Sequence, residues 1–515
     1  MSRKDSSNED RYIVGSDVDT ANTVTVGMTT PNCYGRQNIY INSSVEQFRL
    51  DPINIIKTNI GDILSKHNKN VVEMEYLQNY VKGKCDILNK VRANGDTKIN
   101  NKHVTNYAWE FVKFKQGYYV GKPIKYVDLM EEKSNDITYF NRYIKDVNKA
   151  SKDLIKYENM LITGIAYTMV VPQKQSVDIE YESPYIYEVL DNKDVCVVRS
   201  NDIFKSKLFT MCISEILNHN GRSYNEYTIY YDNIYLVFND LSGNLELVKQ
   251  GIMPVYNCIT EYQLNSQRMG VFEVVLNSLN SLNKMTSNQL DLQEETINNY
   301  LVFENVEIDD ITAKSQEFKQ NRTIAINTNN PEKPAKVYSI TMKDANGETS
   351  INDKYLEMEQ RAYDIVGVPK PTSSTGQGVS GEAQVYGGGW ENAQIIALLD
   401  TNYITQFELE DLKKFLSISN SFANSKTTNL ISTNIDIKYT INKSNNMMVK
   451  AQSLKYFLEE GFTMEQALTF CEITDDPQHE GNVAEQNREK LTKEQFDREM
   501  QLKNSSSVNT KETDI

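Results

Sequence analysis

The 515-residue sequence has no apolar run approaching the ~20 residues that span a bilayer. Its opening, Met1-Ser2-Arg3-Lys4-Asp5, leads into polar residues with no apolar h-region, so a cytosolic chain that does not cross a membrane by itself is expected. Cysteine is scarce: Cys33, Cys85, Cys196, Cys212, Cys258 and Cys471 lie far apart with no C-x-x-C pair, beside only four histidines. That is a pattern of free buried thiols, with no spacing for a zinc site or a disulfide framework. G-x-x-x-x-G-K-[ST], H-E-x-x-H and G-x-S-x-G are all missing, and with them the common phosphate, zinc and nucleophile devices. His103 reads as a surface or capping group, and Glu294-Glu295 and Asp309-Asp310 are adjacent carboxylates that read as solvated, so neither an enzyme nor a cofactor is expected. Positive charge is also short. With 55 Lys+Arg against 70 Asp+Glu the net charge is -15, which excludes a broad basic face gripping nucleic acid or anionic lipid. Any contact with DNA must be local or weak.

What is present is enough for real cores: 39% hydrophobic residues over a length of two or three domains of roughly 150 residues each. Tyrosine is over-represented, at 31 against 17 Phe and 2 Trp. Clusters such as Tyr118-Tyr119 and Tyr230-Tyr231 suit half-wet protein interfaces, and suit equally well a low-GC codon bias acting with β-propensity.

Residues 1–45 mix Asp, Ser, Asn and Thr with Gly15, Gly27 and Pro31 and show no period, which predicts an arm that orders only on a neighbour. Val104, Tyr107, Ala108, Phe111, Val112, Lys115 and Tyr118 make a helical stripe stopped by Gly121 and Pro123. Then come β-rich runs, 195–198, 208–213, 227–231 and 234–238, punctuated by Asp232-Asn233 and Ser242-Gly243-Asn244, an antiparallel meander. The first 265 or so residues therefore read as one α+β domain.

From Val271 to about Asn299, Val275, Leu276, Leu279 and Leu282 form a narrow stripe among Ser and Asn, predicting a helix ~43 Å long that packs on other helices with one side wet. Residues 300–349 break into short extended runs, with Tyr338, Ile340 and Met342 on one strand face and Pro331, Pro334 and Asn346-Gly347 as punctuation. Ile351, Tyr355, Met358, Ala362 and Ile365 then repeat at helical spacing, from an N-cap at Thr349 or Ser350 to Gly367 and Pro369, and call for another helix alongside. The loop from Val368 to Gly381 is almost without apolar residues. A second long helix begins near Glu382, is interrupted at Gly387-Gly388-Gly389, where each glycine costs ~1 kcal/mol against Ala, and resumes with Ile395, Ile396, Leu398, Leu399, Tyr403, Phe407 and Leu412. A helical unit from Met448 to Phe470 precedes a polar tail whose last dozen residues are expected to be disordered. Gly376-Gln-Gly378-Val-Ser-Gly381 matches G-x-G-x-x-G, but no strand precedes it and the acidic residue it needs would fall inside a helix, so a polar loop is the better account.

Three stretches are the most specific: Tyr76-Leu-Gln-Asn-Tyr-Val-Lys-Gly83 through Asp86-Ile87-Leu88, Asn101-Lys-His-Val-Thr-Asn-Tyr107, and Gly117-Tyr-Tyr-Val-Gly-Lys-Pro-Ile-Lys-Tyr126. With the order of elements, they resemble the portal proteins of tailed bacteriophages, in particular the group typified by long-tailed phages of Gram-positive hosts, over roughly residues 70–475. The resemblance implies an α+β portal fold with an α/β wing, a two-helix stem, a small α/β clip, a long kinked helix and a helical crown. It divides the chain into a flexible arm (1–45), wing (46–270), stem helix (271–299), clip (300–349), second stem helix (350–367), tunnel loop (368–381), kinked spine helix of the wing (382–418), crown (419–475) and a polar, partly disordered tail (476–515).

The implied function is a dodecameric ring at one capsid vertex through which a separate terminase pumps double-stranded DNA, later ejected. The implied partners are further copies of the chain, the DNA, the terminase large subunit, a head-tail adaptor, and the major capsid and scaffolding proteins, with no membrane; the implied location is the virion, and the host cytoplasm during assembly. Lys370, Thr372, Ser373, Ser374, Thr375, Gln377 and Ser380 would face DNA, and Gly387, Gly388 and Gly389 would form a hinge. Leu279, Leu282, Ile351, Tyr355, Met358 and Ile365 would join stems in the ring, and Glu304, Glu307, Asp309, Asp310 and Glu317 would meet clip partners. A conduit must let DNA slide, which suits a net negative chain and a nearly neutral loop. Two other readings stand beside it: another phage structural or baseplate subunit, and a cytosolic enzyme binding nucleotide at Gly376–Gly381.

Overall fold

Two short sequence signals start the body of the protein. Ser44 caps α1 (Val45–Leu50) in a capping box completed by Gln47, and Asp51 then caps α2 (Pro52–Val81), where Pro52 occupies a first-turn position whose N–H has no helical partner to lose. In this computed structural model the described residues are 34–92, 99–129, 135–173, 182–217, 221, 223–297, 300–304, 336–340, 345–370, 389–422, 426–441, 447–471, 473–474 and 477–509. α2 was not apparent in the sequence, because its isoleucines are interleaved with Asn and Lys; it buries Ile56, Ile63, Met74, Leu77 and Tyr80. The helix expected from Val104 is α3 (Tyr107–Val120), begun by the Asn106 side chain accepting from Trp109 N–H. α4 (Asn135–Asp146) and α5 (Lys149–Thr163) follow, and α5 ends at Gly164, whose φ of 82° is the left-handed stop.

Sheet residues fall where β-branched and aromatic runs put them. β1 (Ile39–Ile41), β5 (Val195–Ser200), β6 (Lys207–Leu217), β7 (Ser223–Tyr231), β8 (Ile234–Asn239) and β9 (Glu246–Ile252) form a six-stranded sheet in the order β1-β5-β6-β7-β8-β9. The four runs read from sequence are β5 to β8, and the meander is antiparallel as expected. β3 (Ile165–Pro172) sits between β10 (Ile259–Gln263) and β4 (Tyr185–Leu190) in a second, three-stranded sheet.

Residues 34–45, expected to belong to a flexible arm, are instead part of this body. β1 pairs parallel with β5, Ile39 and Ile41 fill the core under the six-stranded sheet, and Arg36 pairs with Glu273 at 2.9 Å in a fully buried contact. A three-residue strand is too short to show a period in sequence.

The stem-like part starts with a 3-10 turn, Glu273–Val275, so α6 runs over Leu276–Ile297 and not from Val271. Its partner α7 (Ala345–Val366) begins five residues before the expected N-cap, which places Asn346-Gly347 inside the helix. Between them β11 (Tyr300–Glu304) and β12 (Lys336–Ile340) pair antiparallel. Met342, Glu307, Asp309, Asp310 and Glu317 lie outside the described residues.

α8 (Trp390–Ser421) then passes through the main core. Residues 426–441, expected in the crown, return to the body: β13 (Ile435–Lys438) pairs antiparallel with β2 (Lys125–Asp128), and Leu430, Ile435 and Ile437 are buried in the same core. α9 (Met447–Glu459) and α10 (Met464–Cys471) pack together, and α11 (Pro477–Asn509) follows as helix through most of the expected tail. α11 is largely polar, although Val483, Leu491 and Phe496 are exposed on it, and it carries Glu489/Lys493 and Glu494/Arg498 at i,i+4, pairs that support a solvated helix.

Candidate functional site

The segment joining α7 to α8 has both ends fixed at one place. α7 closes with Ala362, Tyr363 and Val366 buried and Gly367 at φ 70°; a Cβ built on Gly367 would fall 2.2 Å from Ile396 Cδ1, so the end of α7 lies directly on α8. Gly389, at φ 81°, is the N-cap of α8, and a Cβ there would stand 3.8 Å from Pro369 Cα. The chain between Pro369 and Gly389 therefore departs from and returns to one point. Thr372, Ser373, Ser374, Thr375, Gln377, Ser380, Gly387 and Gly388 lie outside the described residues. A kink or break was expected at Gly387 to Gly389. A left-handed residue cannot sit inside a right-handed helix, so the helix starts after Gly389, and from Trp390 to Ser421 it is continuous.

Each end is held by a different set of contacts. Trp390 lies among Phe114 and Tyr118 of α3, with ring centroids 5.7 and 6.2 Å apart, and Asn392 donates to the Asp364 carbonyl at 3.3 Å. At the other end Lys370 Nζ is 2.5 Å from Glu359 Oε2 of α7. Tyr107 donates to Glu359 Oε1 at 2.7 Å, and the Tyr355 hydroxyl lies 2.8 Å from that of Tyr107. Burial first, then the bonds to Glu359 and Tyr355, push the Tyr107 phenol far above its ordinary range, so it remains a donor. Lys370, expected to face DNA, is thus engaged by its own chain; nothing in the sequence marks Glu359, eleven positions earlier and on the far side of a helix end, as its partner.

α8 is fastened to the body by charge. Glu408 is fully buried, its Oε2 3.1 Å from Lys149 Nζ and its Oε1 bonded by Lys156, while both lysines also bind Asp153. Burial would raise the Glu408 carboxyl, but Lys149 and Lys156 bring it down to about 2. One turn on, Asp411 accepts from Thr168 at 2.8 Å, Tyr262 at 2.7 Å and Thr260, with Lys414 3.3 Å away. α8 is therefore tied to α5, β3 and β10 at once.

The residues expected to join stems divide into two groups. Leu279 and Leu282 are consumed in the core of their own chain, and Tyr355 and Met358 pack half-buried against that same core, because α7 leans on α3 and α6 within one molecule. Ile365 faces outward at 59% exposure. The side chains of Ile351 and Glu304 fall outside the described set, although both lie in regular elements. Sequence reasoning missed an outward set on α8, Ile395, Leu398 and Leu399, exposed at 53%, 46% and 64%. Their i, i+3, i+4 spacing is visible in the sequence, but there it merges with the inward-facing apolar residues into one stripe.

Among the described residues no group of His, Cys, Asp and Glu could hold a metal ion, and no helix is long and apolar enough to cross a membrane. The family model described as "Phage portal protein, SPP1 Gp6-like" matches residues 60–495, from α2 into α11. The chain belongs to this portal family. As a phage portal protein it is a connector component of the virion, and the matched span includes both the α7–α8 segment and its charged anchor. Among solved structures, a chain of "Neck of native GTA particle computed with C12 symmetry" is similar at 10% identity with a TM-score of 0.35, covering 70% of this chain and 88% of that one. No curated protein matches the sequence.

Proposed function

We propose that this portal protein assembles as a ring of twelve copies at one capsid vertex and forms the channel through which double-stranded DNA is packaged and later ejected. In this reading the β11–β12 region is the clip, docking first the terminase large subunit and then the head-tail adaptor. The major capsid and scaffolding proteins surround the wing, and residues 368–381 are the tunnel loop. The observation that carries the reading is the family match across residues 60–495. The closed root of the loop at Pro369 and Gly389, on a helix pinned by Glu408 and Asp411, supports it: a loop that meets moving DNA needs rigid supports. The chain's net charge of -15 supports a conduit over a DNA clamp.

Negative-stain images of the purified protein test the reading. Class averages showing a ring with a central hole are expected; a monomer, or a small oligomer without a hole, would overturn it.

A further inference from the structure

Lys370 is the single charged residue between Pro369 and Gly381, and it stands at the root of the loop beside the buried Pro369. Its ammonium is held 2.5 Å from Glu359 Oε2, in a pair that keeps partial access to solvent. The second oxygen of Glu359 is taken by Tyr107 at 2.7 Å, and Tyr107 in turn lies 2.8 Å from Tyr355. A carboxylate engaged at both oxygens from different elements is fixed in direction, and it offers the ammonium the same charged acceptor that a phosphate oxygen would.

We propose that Glu359 is a positioning residue that occupies Lys370 in place of DNA phosphate, so that the tunnel loop meets the duplex without a free cation. This rests on the reading of residues 368–381 as the loop lining the channel. A ring multiplies whatever one copy does. A free lysine in every copy would encircle a polyanion with cations, and each phosphate engaged releases counterions, adding affinity and steepening the salt dependence by about 0.9 per contact. Affinity of that kind is drag on a sliding duplex. Because Tyr107 belongs to α3 and not to the loop, the carboxylate is held independently of the residues after Lys370.

A plain structural clamp and a phosphate substitute predict different outcomes. If the pair only clamps the loop, neutralising either partner has the same effect. If Glu359 screens Lys370, Glu359→Gln releases a cation whereas Lys370→Met removes it, and the two variants diverge. The measurement is the binding of a labelled double-stranded oligonucleotide to purified rings by fluorescence anisotropy, between 50 and 200 mM salt, followed by packaging in vitro.

Glu359→Gln rings should bind DNA more tightly, by roughly tenfold at the low-salt end if two or more lysines engage at once, with a steeper salt slope and slower packaging. Lys370→Met rings should bind no more tightly than wild type, and the double variant should return to the wild-type slope. A Glu359→Gln ring that binds no tighter, or a double variant as tight as the single, overturns the proposal. Should Glu359→Gln fail to assemble, Glu359→Ala removes the same charge and must shift binding in the same direction; no shift is again an overturning result. A wild-type protein that forms no ring counts against the ring reading itself, and is seen before any DNA is added.

Discussion

Lys149 Nζ lies 3.1 Å from Glu408 Oε2, although 259 positions of sequence separate the two residues. With Lys156 and Asp153 they make a buried group of two cations and two anions, so each charge has a compensating neighbour only while all four are present. Glu408→Ala leaves two ammonium groups facing one carboxylate in a fully buried site, and breaking a buried pair in this way costs about 3–5 kcal/mol. Urea unfolding should show a loss of that order. A loss under about 1 kcal/mol, the scale of a surface ion pair, would mean that α8 is held by its apolar side alone.

The same carboxylate sets a pH window. Its folded pKa of about 2 lies below the ordinary 4.5, so between these values the unfolded chain binds a proton that the folded chain does not. Stability therefore rises with pH across the window: the contribution is complete above about 4.5 and is lost as pH falls through about 2. The difference corresponds to about 3 kcal/mol. Unfolding measured at several acidic pH values should show a shallower decline for Glu408→Gln than for wild type; equal slopes would mean that other carboxylates carry the acid sensitivity.

How far the sequence reveals this arrangement depends on whether the cause is local. β5 to β8 were legible because alternating β-branched and aromatic residues with Asp232-Asn233 between them encode a hairpin within a few positions, and Asp232 does take the left-handed turn conformation. α7 was legible from its repeat, but which neighbour covers the repeat was not, since a stripe says only that something apolar lies alongside. Glu408, Asp411 and Lys414 sit at helical spacing with charges of both signs, the pattern of a solvated face, and the partners that bury them come from α5, β3 and β10. β1 was hidden by its length, and the pairing of Lys370 with Glu359 by the turn between them.

Glycines give a test of the loop's root. Gly389 holds φ 81°, where an alanine Cβ costs roughly 1–2 kcal/mol. Gly117 lies inside α3 with nothing within 4 Å of an added Cβ, so alanine there should stabilise by about 0.5–1 kcal/mol. Thermal unfolding of Gly389→Ala and Gly117→Ala should shift in opposite directions. If Gly389→Ala is neutral or stabilising, α8 does not begin where Trp390 places it, and a helix continuing through the glycines becomes the better description.

The outward face of α8 separates folding from assembly. Ile395, Leu398 and Leu399 stand exposed at i, i+3 and i+4, with Ile365 exposed at the end of α7, where Asn392 bonds to the Asp364 carbonyl. Leu282, by contrast, is wholly inside the chain's own core. Leu282→Asp would bury a charge with no partner and should cost several kcal/mol, so that the monomer itself fails. Leu399→Asp changes a solvent-facing position, where substitutions stay within about 0.5 kcal/mol. It should leave the monomer's melting curve unchanged while removing apolar contact between copies. Native mass spectrometry beside thermal unfolding distinguishes the two: Leu399→Asp folded but without rings is the expected result. Full rings from Leu399→Asp would show that a neighbouring copy does not cover this face, and that contacts between stems must be sought elsewhere on α6 and α7.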